Sequence, residues 1–138
     1  MSYNINLRVI NDTADTLTLV EKTCLNNNIT WTSSESGHRL SMPNSGTSGL
    51  LRFKTSQGDF FSVLIGVHNY KRWCDIVVDT TLTGVELHPK YYQEAAPEFQ
   101  LLWKQLPEIS KKTAKGKTIT VKYYVADGNA LFANLSYV

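Results

Sequence analysis

Apolar and polar residues alternate with period two through most of this chain, in short runs cut off by Gly, Asn, Asp and Ser, and this rhythm commits it to β-structure. The opening run sets the pattern: Tyr3, Ile5, Leu7 and Val9 share one face and Asn4, Asn6 and Arg8 the other, before a turn at Asn11-Asp12. Strand-like runs follow at Thr16 to Cys24, Ile29 to Ser33, Arg39 to Met42, Gly49 to Thr55, Phe60 to Val67 and Trp73 to Thr80. A terminal hairpin is expected from Ile119 to Val125, a turn at Asp127-Gly128-Asn129, and Leu131 to Tyr137. Only Pro89 to Leu106 departs. There Phe99, Leu102, Trp103 and Leu106 recur at helical spacing behind Pro97, a favoured first helical residue, and Pro89 to Ala95 adds a helical turn or two. Many short strands and one helix-loop-helix connection predict a mainly β fold, an antiparallel two-sheet β-sandwich.

The 138 residues fit a single domain, 1–138, and a net charge of +2 gives no reason to expect a nucleic-acid partner. No run approaches the roughly 20 apolar residues of a membrane helix, and MSYNINLRVI lacks the pattern of a signal peptide, so a cytoplasmic protein is expected. Cys24 and Cys74 have no metal-ligand spacing and read as buried thiols. His38, His68 and His88 are scattered without a ligand motif. Neither a metal nor any other cofactor is expected.

Two segments carry candidate chemistry. Asn44 to Gly49 crowds small hydroxyl residues with two glycines, which lets a ligand approach the backbone, but it lacks the lysine of a phosphate loop. Gly66 to Asp75 places His, Asn, Tyr, Lys, Arg and Trp between two apolar strands. Asn offers a donor and an acceptor to hydroxyls, and aromatic faces cover the C–H side of a pyranose, so this cluster suits a saccharide. A Cys74/His68 nucleophile pair is disfavoured, because Cys74 and its neighbour Asp75 point to opposite faces of a strand. No catalytic residue is assigned and no enzyme is expected. The basic run Lys111 to Lys117 reads as a solvated turn leading into the last hairpin.

Val20 to Thr23 (VEKT), Ser45 to Gly49 (SGTSG) with Leu51-Arg52-Phe53, the block GVHNYKRWCDIV from Gly66 to Val77, Tyr91-Tyr92, AKGK at Ala114 to Lys117 and DGNALFANL from Asp127 to Leu135 together resemble the fungal fruit-body lectin family. The resemblance spans nearly the whole chain. It implies an actinoporin-like β-sandwich, a homotetramer, and a metal-independent cytoplasmic lectin. The implied partners are glycans carrying galactose-β1,3-N-acetylgalactosamine, and the implied role is defence. Carried over residue by residue, the primary sugar site falls on Ser45, Gly46, His68, Asn69 and Tyr70, with Asn27 in the Asn26-Asn27-Asn28 run as a further contact.

A secondary site for N-acetylglucosamine is implied at Asp75, Ile76 and Val78. Val78 stands where the family pattern has a threonine, Gln93 to Trp103 holds no arginine, and Ile109 falls near an expected tyrosine. That site is therefore expected to be degraded. The implied fold is shared with sea-anemone pore-forming toxins, which makes a membrane-acting protein the alternative. It is disfavoured here because those toxins insert an amphipathic N-terminal helix, whereas this N-terminus alternates with period two. A sandwich serving only as a protein-protein module is the third reading.

Overall fold

The computed structural model describes residues 1–138. Its strands are β1 (Tyr3–Asn11), β2 (Leu17–Cys24), β3 (Thr30–Ser34), β4 (Gly37–Met42), β5 (Thr47–Thr55), β6 (Phe60–His68), β7 (Lys71–Val78), β8 (Glu108–Lys112), β9 (Thr118–Val125) and β10 (Ala130–Tyr137). They form a six-stranded sheet in the order β3-β4-β1-β10-β9-β8 and a four-stranded sheet in the order β2-β5-β6-β7. The expected two-sheet sandwich is present. One pair departs from the antiparallel expectation: β1 and β10 run parallel, Ile5 opposite Leu131 and Val9 opposite Leu135. The two strands lie at opposite ends of the chain, so no hairpin ties them and their direction is set by how the sheet closes.

Alternation along β1 drives Tyr3, Ile5 and Leu7 into the space between the sheets, where 22 buried residues form the main core. The four-stranded sheet does not alternate in the same way. In β6, Phe61 to Val67 are all buried, because both faces of this sheet are covered. Its outer face carries a second cluster of Leu50, Leu64, Trp73, Leu87, Tyr91 and Leu102, capped by the helical connection. The molecule thus has three layers.

That connection differs from the sequence expectation at both ends. It opens as α1 (Gly84–Leu87), runs through a 3-10 turn at His88–Tyr92 and another at Pro97–Phe99, and closes as α2 (Gln100–Lys104). The start lies earlier than Pro89 because Thr83 and Glu86 make a capping box, and Glu21 accepts from the Gly84 and Val85 N–H groups at 2.6 and 3.1 Å. The end lies earlier than Leu106 because Gln105 turns left-handed at φ 49°. Leu106 instead packs against the inter-sheet core. Strand β8 was not expected: its residues EISKK bury no full side chain, as suits an edge strand, and only Thr113 to Lys117 form the turn. Cys74 is buried as expected, but Cys24 is only half-buried, since it ends β2 near the rim of the sheet.

Candidate functional site

The two segments singled out in the sequence meet at one end of the four-stranded sheet. Strands β6 and β7 are joined by a two-residue turn in which Asn69 (φ 50°) and Tyr70 (φ 68°) are both left-handed, His68 facing Lys71 across it. Such a turn follows the right-handed twist of its strands, and asparagine tolerates the left-handed region better than tyrosine does. It projects the Asn69 and Tyr70 side chains into solvent. The Ser45-Gly46 loop between β4 and β5 lies against it: Ser45 Oγ accepts from the Tyr70 N–H at 2.9 Å and the Gly46 N–H donates to the Val67 carbonyl at 2.8 Å. Gly46 has φ 86° and open space where a side chain would start, so its backbone stays accessible from outside. The loop holding Asn27 is tied to the same end of β5 by the Leu25 N–H, which donates to the Ser48 carbonyl at 3.2 Å. Ser45, Gly46, His68, Asn69 and Tyr70 are thus gathered together, with the Asn27 loop beside them.

His68 closes the cluster. Burial holds its imidazole below the usual histidine value, so at neutral pH it presents one N–H and one lone pair, the combination that pairs with a hydroxyl. Its Nδ1 is buried without a partner. Two residues outside the recognised segments steer it: Gln105 Nε2 donates to the His68 carbonyl at 2.7 Å, and Trp103 meets the imidazole ring at 85° and 4.6 Å between centroids. Trp103 therefore does not join Phe99 and Leu102 against the sheet but stands 55% exposed beside the turn. The only sequence signal for this was a bulky ring on a helix too short to bury every apolar side chain.

Below the loop lies a polar chain whose members Thr23, Ser48 and Tyr92 lie in motifs singled out in the sequence, but whose connection through His88 the sequence did not show. Ser48 Oγ lies 2.8 Å from His88 Nε2 and 2.6 Å from Tyr92 Oη, and His88 Nδ1 lies 2.7 Å from Thr23 Oγ1. It binds β2, β5 and the 3-10 turn together directly under the Ser45-Gly46 loop. Gly66 leaves the room this needs, because a Cβ there would sit 2.6 Å from the Thr47 carbonyl oxygen and 2.5 Å from Ser48 Cβ.

The three secondary positions lie on β7. Their sequence neighbours confirm the expected alternation: Cys74 points into the inter-sheet core, where burial lifts its thiol to about 12, while Asp75 points towards the helical layer. Asp75 is 6% exposed and accepts a short hydrogen bond from Tyr91 Oη, with burial raising its carboxyl above the ordinary range. Asp75, Ile76 and Val78 line a groove of about 480 Å³ against α2, closed on the other side by Ile109. Lys104 and Lys111 are the cations that line it. Trp103 is on the far side, against His68.

A sandwich that presents hydroxyl, carboxamide, imidazole and aromatic groups at a glycine-bearing loop has the make-up of a carbohydrate-binding protein. Comparison with known proteins makes this specific. The family model for fungal fruit body lectin matches residues 1–135. Boletus edulis lectin is 40% identical over 143 residues, covering 99% of each chain. The crystal structure of wild-type Xerocomus chrysenteron lectin is 39% identical and superposes with a TM-score of 0.93 over 100% of both chains. A mutated form of that lectin gives 0.94 at 39% identity, over 100% of this chain and 99% of that one. The chain belongs to the fungal fruit body lectin family.

Proposed function

We propose that residues 1–138 act as one non-catalytic lectin domain whose primary ligand is the galactose-β1,3-N-acetylgalactosamine disaccharide of mucin-type glycans. The observation that carries the reading is the hydrogen-bonded junction of the Ser45-Gly46 loop with the His68-Asn69-Tyr70 turn. Asn69 supplies both donor and acceptor, Gly46 permits close approach, and neutral His68 pairs with a hydroxyl. Asn69→Ala is expected to lose about 1–3 kcal/mol of binding, a loss of about five- to 150-fold. Calorimetry with the disaccharide checks it, and undiminished affinity in the folded variant refutes the assignment.

Binding is proposed to be metal-free and multivalent, by a cytoplasmic homotetramer used in defence. Linked sites raise apparent affinity by about 10²- to 10⁴-fold without new contacts, which is what agglutination needs. EDTA is expected to leave agglutination unchanged. Light scattering at working concentration is expected to report four copies, and a monomer would refute the assembly.

The Asp75 groove is proposed to hold N-acetylglucosamine weakly or not at all. Asp75 is already engaged by Tyr91, and Val78 and Ile109 bring no hydrogen-bonding group. Each missing hydrogen bond forfeits about 0.5–1.5 kcal/mol. An ordered sugar beside Asp75 after a soak at modest concentration would overturn this.

The membrane-acting reading is disfavoured by the position of β1, which pairs with β4 on one side and β10 on the other, at the centre of its sheet. Freeing it would break two ladders.

A further inference from the structure

The outer face of the six-stranded sheet carries a depression of about 400 Å³ whose lining includes none of the residues of the Asn69 turn, the Ser45-Gly46 loop or the Asp75 groove. Four side chains there fall in one row across four adjacent strands. Thr32 on β3 pairs with Arg39 on β4, Arg39 with Asn6 on β1, and Asn6 with Phe132 on β10. At strand spacings of about 4.8 Å the row spans roughly 14 Å, the length of two or three sugar rings. Arg8 lies one pleat along β1 from Asn6, on the same face and in the same depression. At the far end Tyr124 packs on Phe132 with centroids 5.9 Å apart and is 56% exposed, leaving an open aromatic surface.

The charge at this face is unbalanced. Arg8 and Arg39 are both exposed, and neither has a carboxylate within ion-pair distance, the chain's ion pairs being Arg52–Glu21 and Lys115–Asp59. Glu35, on the rim of the adjoining cleft, is the nearby acid and bonds to neither. Two unpaired guanidinium groups select a planar or tetrahedral anion, because their forked donors match carboxylate and sulfate oxygens. A row of Thr32 and Asn6 adds donors and acceptors for hydroxyls, and the Tyr124–Phe132 surface suits the C–H face of a pyranose.

We propose that this face is a separate binding site for an acidic saccharide, its carboxylate or sulfate held by Arg8 and Arg39 and a neighbouring ring resting on Tyr124. The site is independent of the Asn69 turn. It would let one copy of the lectin grip the neutral and the acidic portions of a glycan coat through different faces.

The test is calorimetry on the assembled protein with the α-methyl glycoside of N-acetylneuraminic acid, with galactose 3-sulfate and with inorganic sulfate. Saturable binding of at least one acidic sugar is expected, and the one bound identifies the acid group. Binding is expected to persist in Asn69→Ala, to weaken as salt screens the guanidinium groups, and to fall roughly tenfold or more in the double variant Arg8→Gln, Arg39→Gln. Tyr124→Ala is expected to weaken the sugar but not inorganic sulfate, and the double variant is expected to bind the neutral disaccharide as the parent does. Failure of both acidic sugars to bind overturns the proposal, as does equal affinity in the double variant. Inorganic sulfate binding as tightly as the sugars overturns it too. So does a change of molar mass of the double variant in light scattering, which would make the face a contact between copies.

Discussion

Replacing Phe61 by alanine is expected to cost about 3–5 kcal/mol of folding stability, the range for emptying a buried aromatic site. Phe61 is 1% exposed and lies between Phe53, stacked at 5.2 Å, and Tyr137, stacked at 5.8 Å with only 7° between the planes. Phe53 and Phe61 belong to the four-stranded sheet and Tyr137 to the six-stranded one, so the stack crosses the gap between the layers. The truncation removes the middle ring, and the neighbours cannot collapse into the void because both sheets are pinned by their ladders. A domain of this size has about 5–15 kcal/mol in total, so the variant is expected to lose a large fraction of it, with Tm lower by roughly 10–20 °C. Phe61→Leu, which leaves a smaller cavity, is expected to lose much less. Denaturant titration checks the ranking: the midpoint should fall while the slope holds. A loss below about 1 kcal/mol for the alanine variant would show that the stack is not what joins the sheets. Sugar affinity of the folded variant should be unchanged, because His68 is seven residues along β6, about 23 Å away.

How legible this fold is depends on which physical signal each element uses. Strands with one face on the core, such as β1 and β10, write their burial into the sequence directly as alternation. β8 does not, since an edge strand of Glu, Ser and Lys with one half-buried Ile109 pairs through its backbone and needs no apolar face. The parallel union of β1 with β10 is invisible for another reason: local pattern records which residues are buried, not which distant strand lies beside them. The same division runs through the candidate site. Ser45, Gly46, Asn69 and Tyr70 fall in two runs whose small hydroxyl and polar-plus-aromatic make-up stands out locally, and the family resemblance picks them out one by one, whereas the left-handed backbone at Asn69 and Tyr70 shows only in the structure. Gln105, Trp103, His88 and Ser48 act through contacts 37, 35, 40 and 44 positions away in sequence, or nearby that, and no spacing rule reaches so far.

Acid is expected to weaken the fold most where it reaches His88. Burial alone pushes this imidazole down to about 4 from its ordinary 6.5, and its neighbours Thr23, Ser48 and Tyr92 bring no negative charge to hold a proton. The sign follows from proton counting: above pH 6.5 the ring is neutral in both states and costs nothing. Between pH 6.5 and about 4 the unfolded chain binds a proton that the folded chain refuses, so stability falls steadily with pH through that window. The separation of the two values amounts to about 3 kcal/mol once the window is crossed. His38 and His68, also held low by burial, pull in the same direction, while Asp75, held high, favours the folded state as its carboxyl protonates. A variant separates these contributions. His88→Gln keeps a hydrogen-bonding group beside Ser48 and cannot titrate, so it is expected to start less stable at pH 7 by about 1 kcal/mol and to lose much less than the parent on going to pH 4. Because the same imidazole braces β5 beneath the Ser45-Gly46 loop, disaccharide affinity of the parent should decline over the same pH range before global unfolding. Stability curves for parent and variant that run parallel from pH 7 to pH 4 would show that His88 is not the group whose protonation opens this corner of the sandwich.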